Sequence, residues 1–192
     1  MRRAEIKRTT KETDIKVVVN LDGKGEYEID TKIGFLNHML EIFSKHSKID
    51  LKVVADGDID VDFHHTVEDV GISLGMGINE ALADKRGINR YGFFVLPMDE
   101  TLIECAIDLS GRAYLNYDVK YFTDIVGDFP VELVEEFFKA FSDNIKCNLH
   151  IIKRYGKNSH HIAEGIFKAV ARSLSMALDI KGDTIPSTKG LI

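Results

Sequence analysis

The sequence predicts an α+β fold built from two pseudo-symmetric halves, residues 1–90 and 91–192. Each half reads as a mostly antiparallel four-stranded sheet with two helices on one face. Three observations predict this. The stretch DFHHTVED (62–69) has a partner in NSHHIAEG (158–165), so a His-His-x-x-Glu pattern occurs twice. The same succession of alternating, helical and again alternating stretches leads up to each copy. Either half alone would leave a sheet face or a helix stripe uncovered, and two halves packed together bury it.

The elements follow in order. Residues 2–9 alternate as a strand, and IKVVVNLDGKGEYEID (15–30) reads as two alternating strands around an Asp22–Gly23 turn. GFLNHMLEIFSKH (34–46) has apolar residues at helical spacing, and KIDLKVVA (48–55) is a short strand. A longer helix, roughly 62–84, opens on the first His-His pair. The second half repeats the series: a strand at 92–98, then LIECAIDLSGRAYLNYDV (102–119) with LSGR in the place of LDGK. The helix VELVEEFFKAFSDN (131–144), the strand KCNLHIIK (146–153) and a final helix at 159–179 complete it.

Bulk properties narrow the class. A chain of 192 residues, 44% of them hydrophobic, has enough apolar surface to bury a real core. Its net charge of -6 argues against a general nucleic-acid binder, so any anionic ligand has to be held by a few placed cations. No apolar run approaches the roughly 20 residues of a membrane span. The N-terminal MRRAEIKRTTKETDIK lacks the apolar stretch of a signal peptide. Cys105 and Cys147 lie far apart in apolar segments and read as reduced thiols of a cytoplasmic protein.

The adjacent histidines carry the chemistry. On a helix successive side chains diverge by about 100°. His64 and Glu68, four apart, share a face and can hold one ion, while His65 points towards a second. His160, His161 and Glu164 repeat the arrangement, and His38 on the preceding helix is a further donor. Mixed imidazole and carboxylate ligation suits Mn(II), Fe(II), Co(II) or Zn(II) better than Mg or Ca. Without a thiolate in the set, a structural zinc knot is disfavoured. At the C-terminus PSTKGLI (186–192) sets Ser187, Thr188, Lys189 and Gly190 in a row, the composition of either an anion nest or a frayed polar tail. Arg86, Arg90 and Arg112 fall at loops or strand ends and matter only if they converge.

Taken together, RTTKET (8–13), LDGKG (21–25), GFLNHML (34–40), HHTVED (64–69), RGINRYG (86–92), DLSGR (108–112), NSHHIAEGIFKA (158–169) and STKG (187–190) resemble the imidazoleglycerol-phosphate dehydratase family over nearly the whole chain. The resemblance implies a hydro-lyase of histidine biosynthesis that converts D-erythro-imidazole-glycerol phosphate to imidazole-acetol phosphate. It further implies two Mn(II) ions per subunit and a homo-oligomer of 24 subunits with sites between them. The metal ligands it implies are His38, His64, His65, Glu68, His160, His161 and Glu164, with Glu136 at the position of the eighth. The substrate-binding positions it implies are Glu12, His38, His46, Arg90, Arg112, Lys168, Ser187 and Lys189. Glu12, His65 and Glu164 are the implied catalytic residues, with Glu12 as proton shuttle. The family carries Asp at the positions of Asn37 and Phe63, and His at the position of Glu136, which is the counterpart of His38 in the second half. A register slip of one would put Glu135 there instead. A metal-bridged storage shell and a metal-dependent hydrolase would call on similar donors, but a shell has no use for a phosphate nest.

Overall fold

Alternation decides the strands. The computed structural model describes residues 2–192. β1 (Arg3–Thr9) and β2 (Thr13–Asn20) bury Ala4, Ile6, Ile15, Val17 and Val19 and turn the intervening residues outward. The two pair antiparallel with Ile6 opposite Val17. β2 then pairs antiparallel with β4 (Asp50–Gly57), Val17 opposite Val53. β3 (Tyr27–Asp30) adds to the far side of β4 in parallel, giving the order β1-β2-β4-β3. α1 (Gly34–Ser47) connects β3 to β4, and α2 (His64–Leu82) follows β4.

The second half uses the same topology. β5 (Tyr91–Met98), β6 (Thr101–Asp108) and β7 (Tyr114–Asp118) come first, and β10 (Asn148–Tyr155) completes a sheet of order β5-β6-β10-β7. Between β7 and α3 (Leu133–Ile145) lies the hairpin of β8 (Ile125–Val126) and β9 (Phe129–Pro130), an insertion the sequence pattern does not announce. α4 (Ser159–Leu178) ends the second half.

The expected strand pair across Asp22–Gly23 is not a hairpin. β2 and β3 exist, but β4 lies between them. The polar groups of the connecting loop are satisfied elsewhere. Asp50 Oδ1 accepts from the Lys24 and Glu26 amides, at 2.8 and 3.0 Å. Asp22 binds back to Arg2 through its backbone amide and its guanidinium. With those bonds made, β3 crosses to the parallel edge of β4, and β3-α1-β4 becomes the crossover unit that parallel strands require.

Both sheets turn their apolar faces inward onto the helices. α2 covers β1, β2 and β4, while α4 covers β5 and β6. α2 packs on α3 and α1 on α4, so each half's helices meet those of the other half between the two sheets. Phe43 of α1 meets Phe141 of α3 edge-on at 6.0 Å between ring centroids, and Phe137, Phe138 and Phe167 close the same buried cluster. This interlock puts the start of α4 beside α1 and the start of α3 beside α2.

Candidate metal centre and active site

The N-terminus of α4 is shaped by Asn158, whose side chain accepts from the amides of His160 and His161 at 2.9 and 3.3 Å. That cap starts the helix one residue before the histidine pair. The ring planes of His160 and His161 lie at 87° to one another, and those of His64 and His65 at the start of α2 at 80°. In the second half the two rings turn to different partners, His160 to Glu164 and His161 to Glu100.

His160 Nε2 lies 3.1 Å from Glu164 Oε2, one helical turn on. From the other half, His38 of α1 brings its Nε2 to 3.4 Å from the same oxygen. These three residues form the one group of at least three donors, within 4.8 Å of one another, found among the described residues. They join two imidazoles and a carboxylate from two halves, a donor set that fits a divalent transition ion. The counterpart set of His64, Glu68 and Glu136 is not drawn together in this way. Glu136 is half-buried on α3 rather than fully solvated, and it precedes Phe137, whose carbonyl faces Gly71 of α2.

The surroundings set the charge of the cluster. Burial pushes the Glu164 carboxyl up, but the hydrogen bond and charge of Lys168 and the bond from His160 outweigh it and hold it below its ordinary value. Lys168 Nζ sits 2.6 Å from Glu164 Oε1, leaving Oε2 to the histidines. His46, at the end of α1, is lowered first by burial and then by the positive charges of Lys168 and Arg172. Both effects favour its neutral form.

The second histidine of each pair is held by a carboxylate. His161 Nδ1 lies 2.8 Å from Glu100 Oε2, and His65 Nδ1 lies 3.0 Å from Asp58 Oδ2. The bond from His161, followed by that from the Asn158 amide, places the Glu100 carboxyl far below its usual range. The Asp58 bond is the largest cause raising His65. Glu12 is exposed, 4.0 Å from His65 Nδ1, on a turn where Thr10 Oγ1 accepts from the amides of Glu12 and Thr13. Residue-type reasoning did not single out Glu100 or Asp58. One signal was available for Glu100: the Glu12-Thr13 that opens β2 recurs as Glu100-Thr101 at β6.

A separate cleft gathers Arg90, Ser110, Arg112, Ser187, Thr188 and Lys189. The tail lies along the loop after β6, with Ile192 beside Gly111. Arg90 is largely committed: it makes a two-pronged bond to Asp108 at 2.7 and 3.2 Å and donates to the Pro186 carbonyl at 2.9 Å. Arg112 and Lys189 have no ion-pair partner among the described residues, so they supply the positive charge of the cleft. Arg86, by contrast, pairs with Asp84 and lies outside that lining.

Two departures now have local explanations. Asn37 Oδ1 accepts from the Thr31 amide at 2.9 Å and the Thr31 hydroxyl at 2.6 Å, a job for a carbonyl oxygen that needs no charge. Phe63 stacks on Phe129 of the inserted hairpin, with centroids 6.5 Å apart.

A duplicated sheet-and-helix fold with histidine and carboxylate donors meeting across the seam of its halves, and a cationic cleft besides, defines a class of enzyme with a candidate metal centre beside an anion-binding cleft. The sequence profile of the family described as imidazoleglycerol-phosphate dehydratase matches residues 31–174. The dehydratase of Caldicellulosiruptor bescii is 53% identical over 189 residues, covering 98% of this chain and 97% of its own. That of Citrifermentans bemidjiense is 55% identical over 191 residues, 98% of each. The crystal structure of the Staphylococcus aureus enzyme superposes with a TM-score of 0.85 at 40% identity, covering 93% of this chain and 99% of that one. The Pyrococcus furiosus structure gives 0.83 at 34% identity, covering 97% and 100%. The chain belongs to the imidazoleglycerol-phosphate dehydratase family.

Proposed function

We propose that the chain dehydrates D-erythro-imidazole-glycerol phosphate to imidazole-acetol phosphate in histidine biosynthesis, using two Mn(II) ions per subunit in a cytoplasmic homo-oligomer of 24 subunits. The observation that carries the metal part is the meeting of His38, His160 and Glu164 from opposite halves. Family membership carries the reaction.

The reaction removes the hydroxyl from the carbon attached to the imidazole ring and a proton from the neighbouring carbon, the two leaving as water; the resulting enol becomes the ketone. Bound divalent ions would supply Lewis acidity that favours the imidazolate form of the ring, whose electrons help that hydroxyl leave. His38, His160, Glu164, His64, His65, Glu68 and His161 hold the ions in this reading. Glu136 holds one too, a carboxylate in the place of an imidazole, and so lowers the charge of its site and favours oxygen-preferring Mn(II). Arg112, Lys189 and Ser187 grip the phosphate, with Arg90 shaping the cleft, and fix the substrate's orientation. Glu12 is left uncommitted beside His65 and takes the proton. Lys168 and His46, beside Glu164, complete the contact with the substrate.

Mn(II)-loaded protein should form product from imidazole-glycerol phosphate and contain about two metal ions per chain. Glu136→Ala should reduce that count towards one. Absence of product from a correctly folded, metal-loaded sample overturns the reaction, and a count of one at full activity overturns the pair of ions. An unchanged count and affinity in Glu136→Ala removes that residue from the ligand set.

A further inference from the structure

Both halves hold the second histidine of the pair by Nδ1, but they do so with carboxylates from different places. In the second half the carboxylate is Glu100, on the turn between β5 and β6. In the first half it is Asp58, on the loop between β4 and α2. Glu100 and Glu12 occupy the same place in the repeat, each followed by a buried threonine that opens the next strand. At the place matching Asp58 the second half has Lys157, since Gly156 faces Thr101 as Gly57 faces Thr13. The duplicated glutamates have therefore parted company. Glu100 accepts from His161, from the amides of Lys157 and Asn158 and from the Thr101 hydroxyl. Glu12 stands 4.0 Å from His65 with 55% of its side chain exposed.

We infer that Glu100 and Asp58 are positioning residues that fix the His161 and His65 rings for metal, and that Asp58, by taking over this task in the first half, releases Glu12 from it. The inference rests on the metal reading above. An ionised carboxylate only accepts, so the nitrogen facing it carries the proton. With Nδ1 protonated, the lone pair is on Nε2 in both rings, and that nitrogen is the one able to ligate an ion. Of the carboxylates near His161, Asp99 approaches Nε2 only to 3.9 Å, beyond a hydrogen bond, and does not occupy it. Glu100 also ties the loop ahead of α4 to the β5–β6 turn, so one side chain sets both the ring and the start of the helix that carries it. A carboxylate behind a ligating histidine fixes its tautomer and raises its basicity.

The test is titration of the metal-free chain and its variants with Mn(II), with circular dichroism to confirm folding. Glu100→Ala and Asp58→Ala should each weaken binding by about 10–100-fold. Glu100→Gln and Asp58→Asn keep an acceptor oxygen without the charge and should recover part of that loss. Glu12→Ala should bind Mn(II) as the parent does. Parent-like affinity in Glu100→Ala and Asp58→Ala overturns the inference, as does a loss in Glu12→Ala equal to that in Asp58→Ala. If the alanine variants fail to fold, the Gln and Asn variants decide: weaker binding than the parent supports the assignment and equal binding overturns it. A folded parent that takes up no Mn(II) sinks the metal reading itself, a result distinct from these.

Discussion

At the scale of residues, spacing revealed the donors but not the groups that hold them. His64, Glu68, His160 and Glu164 were readable because helical periodicity makes residues four apart neighbours. The contact of His38 with Glu164 required only that the two halves meet. Asp58 and Glu100 were hidden because each reaches its histidine from a loop, and loop geometry has no period to read. Asp69 was hidden for a related reason: it lies buried beneath Arg8 and Thr13 and accepts from both, joining α2 to β1 and β2. Its matching position on α4 is Gly165, where an added Cβ would meet Ile103 at 3.0 Å and Leu96 at 3.7 Å, so the same site is polar in one half and apolar in the other. Glu12 allows a direct test at this scale. It is exposed, makes no close ion pair and sits beside a fixed histidine. Glu12→Gln should therefore keep the fold but lose most of kcat, on the order of the 10²–10⁴-fold contributed by a positioned acid or base. Steady-state kinetics on metal-loaded protein checks this, and near-parent kcat would remove Glu12 from proton transfer.

At the scale of elements, every helix and main strand expected from periodicity is present, with ends shifted by a few residues. The error was one of connection. An Asp-Gly between two alternating runs is a strong hairpin signal locally, yet Asp50 and Arg2 capture the polar groups of that loop and β4 takes the edge of β2. The glycines of α2 were equally opaque in sequence. A Cβ at Gly71 would lie 2.7 Å from the Phe137 carbonyl oxygen, and one at Gly75 would lie 2.6 Å from that of Phe141. These two residues, one turn apart, let α3 approach backbone to backbone. At Gly77 the nearest atoms, on Ile6 and Val19, are 3.5–3.6 Å away, an ordinary contact. The substitutions should therefore differ in sign. Alanine gains about 0.5–1 kcal/mol over glycine inside a helix, while overpacking against an unyielding neighbour costs about 1–3 kcal/mol. Gly75→Ala should be destabilised by up to about 2.5 kcal/mol, the excess of the overpacking cost over the helix gain. Gly77→Ala should be neutral or stabilised by up to about 1 kcal/mol. Denaturant unfolding of the two variants side by side checks the pair, and equal effects would mean that the α2–α3 approach does not limit this helix.

At the scale of the whole molecule, one chain offers an incomplete set of sites. Its two halves bring His38, His160 and Glu164 together, three donors for an ion that commonly takes more, while His64, His65, Glu68 and His161 stay outside that group. His38 keeps 49% of its side chain exposed even with its two partners in place. In the proposed homo-oligomer, donors left at the surface in this way would be completed by donors from another copy. The outer faces of the two sheets differ. The outer face of the first sheet carries charge, with Lys16 paired to Glu5 and Lys52 to Glu28. The outer face of the second exposes Tyr91, Phe93, Val95 and Tyr114, the last beside His150 at 5.6 Å between rings. Burial of that apolar face needs no metal, whereas contacts built on shared ions do. Removal of metal should consequently divide the assembly into smaller oligomers rather than into single chains, and Mn(II) should restore the original mass. Light scattering before chelation, after it and after Mn(II) is returned measures each step. An unchanged mass once elemental analysis confirms that the metal is gone would show that the ions do not bridge subunits. Complete dissociation to single chains would show that the apolar face of the second sheet is not an interface.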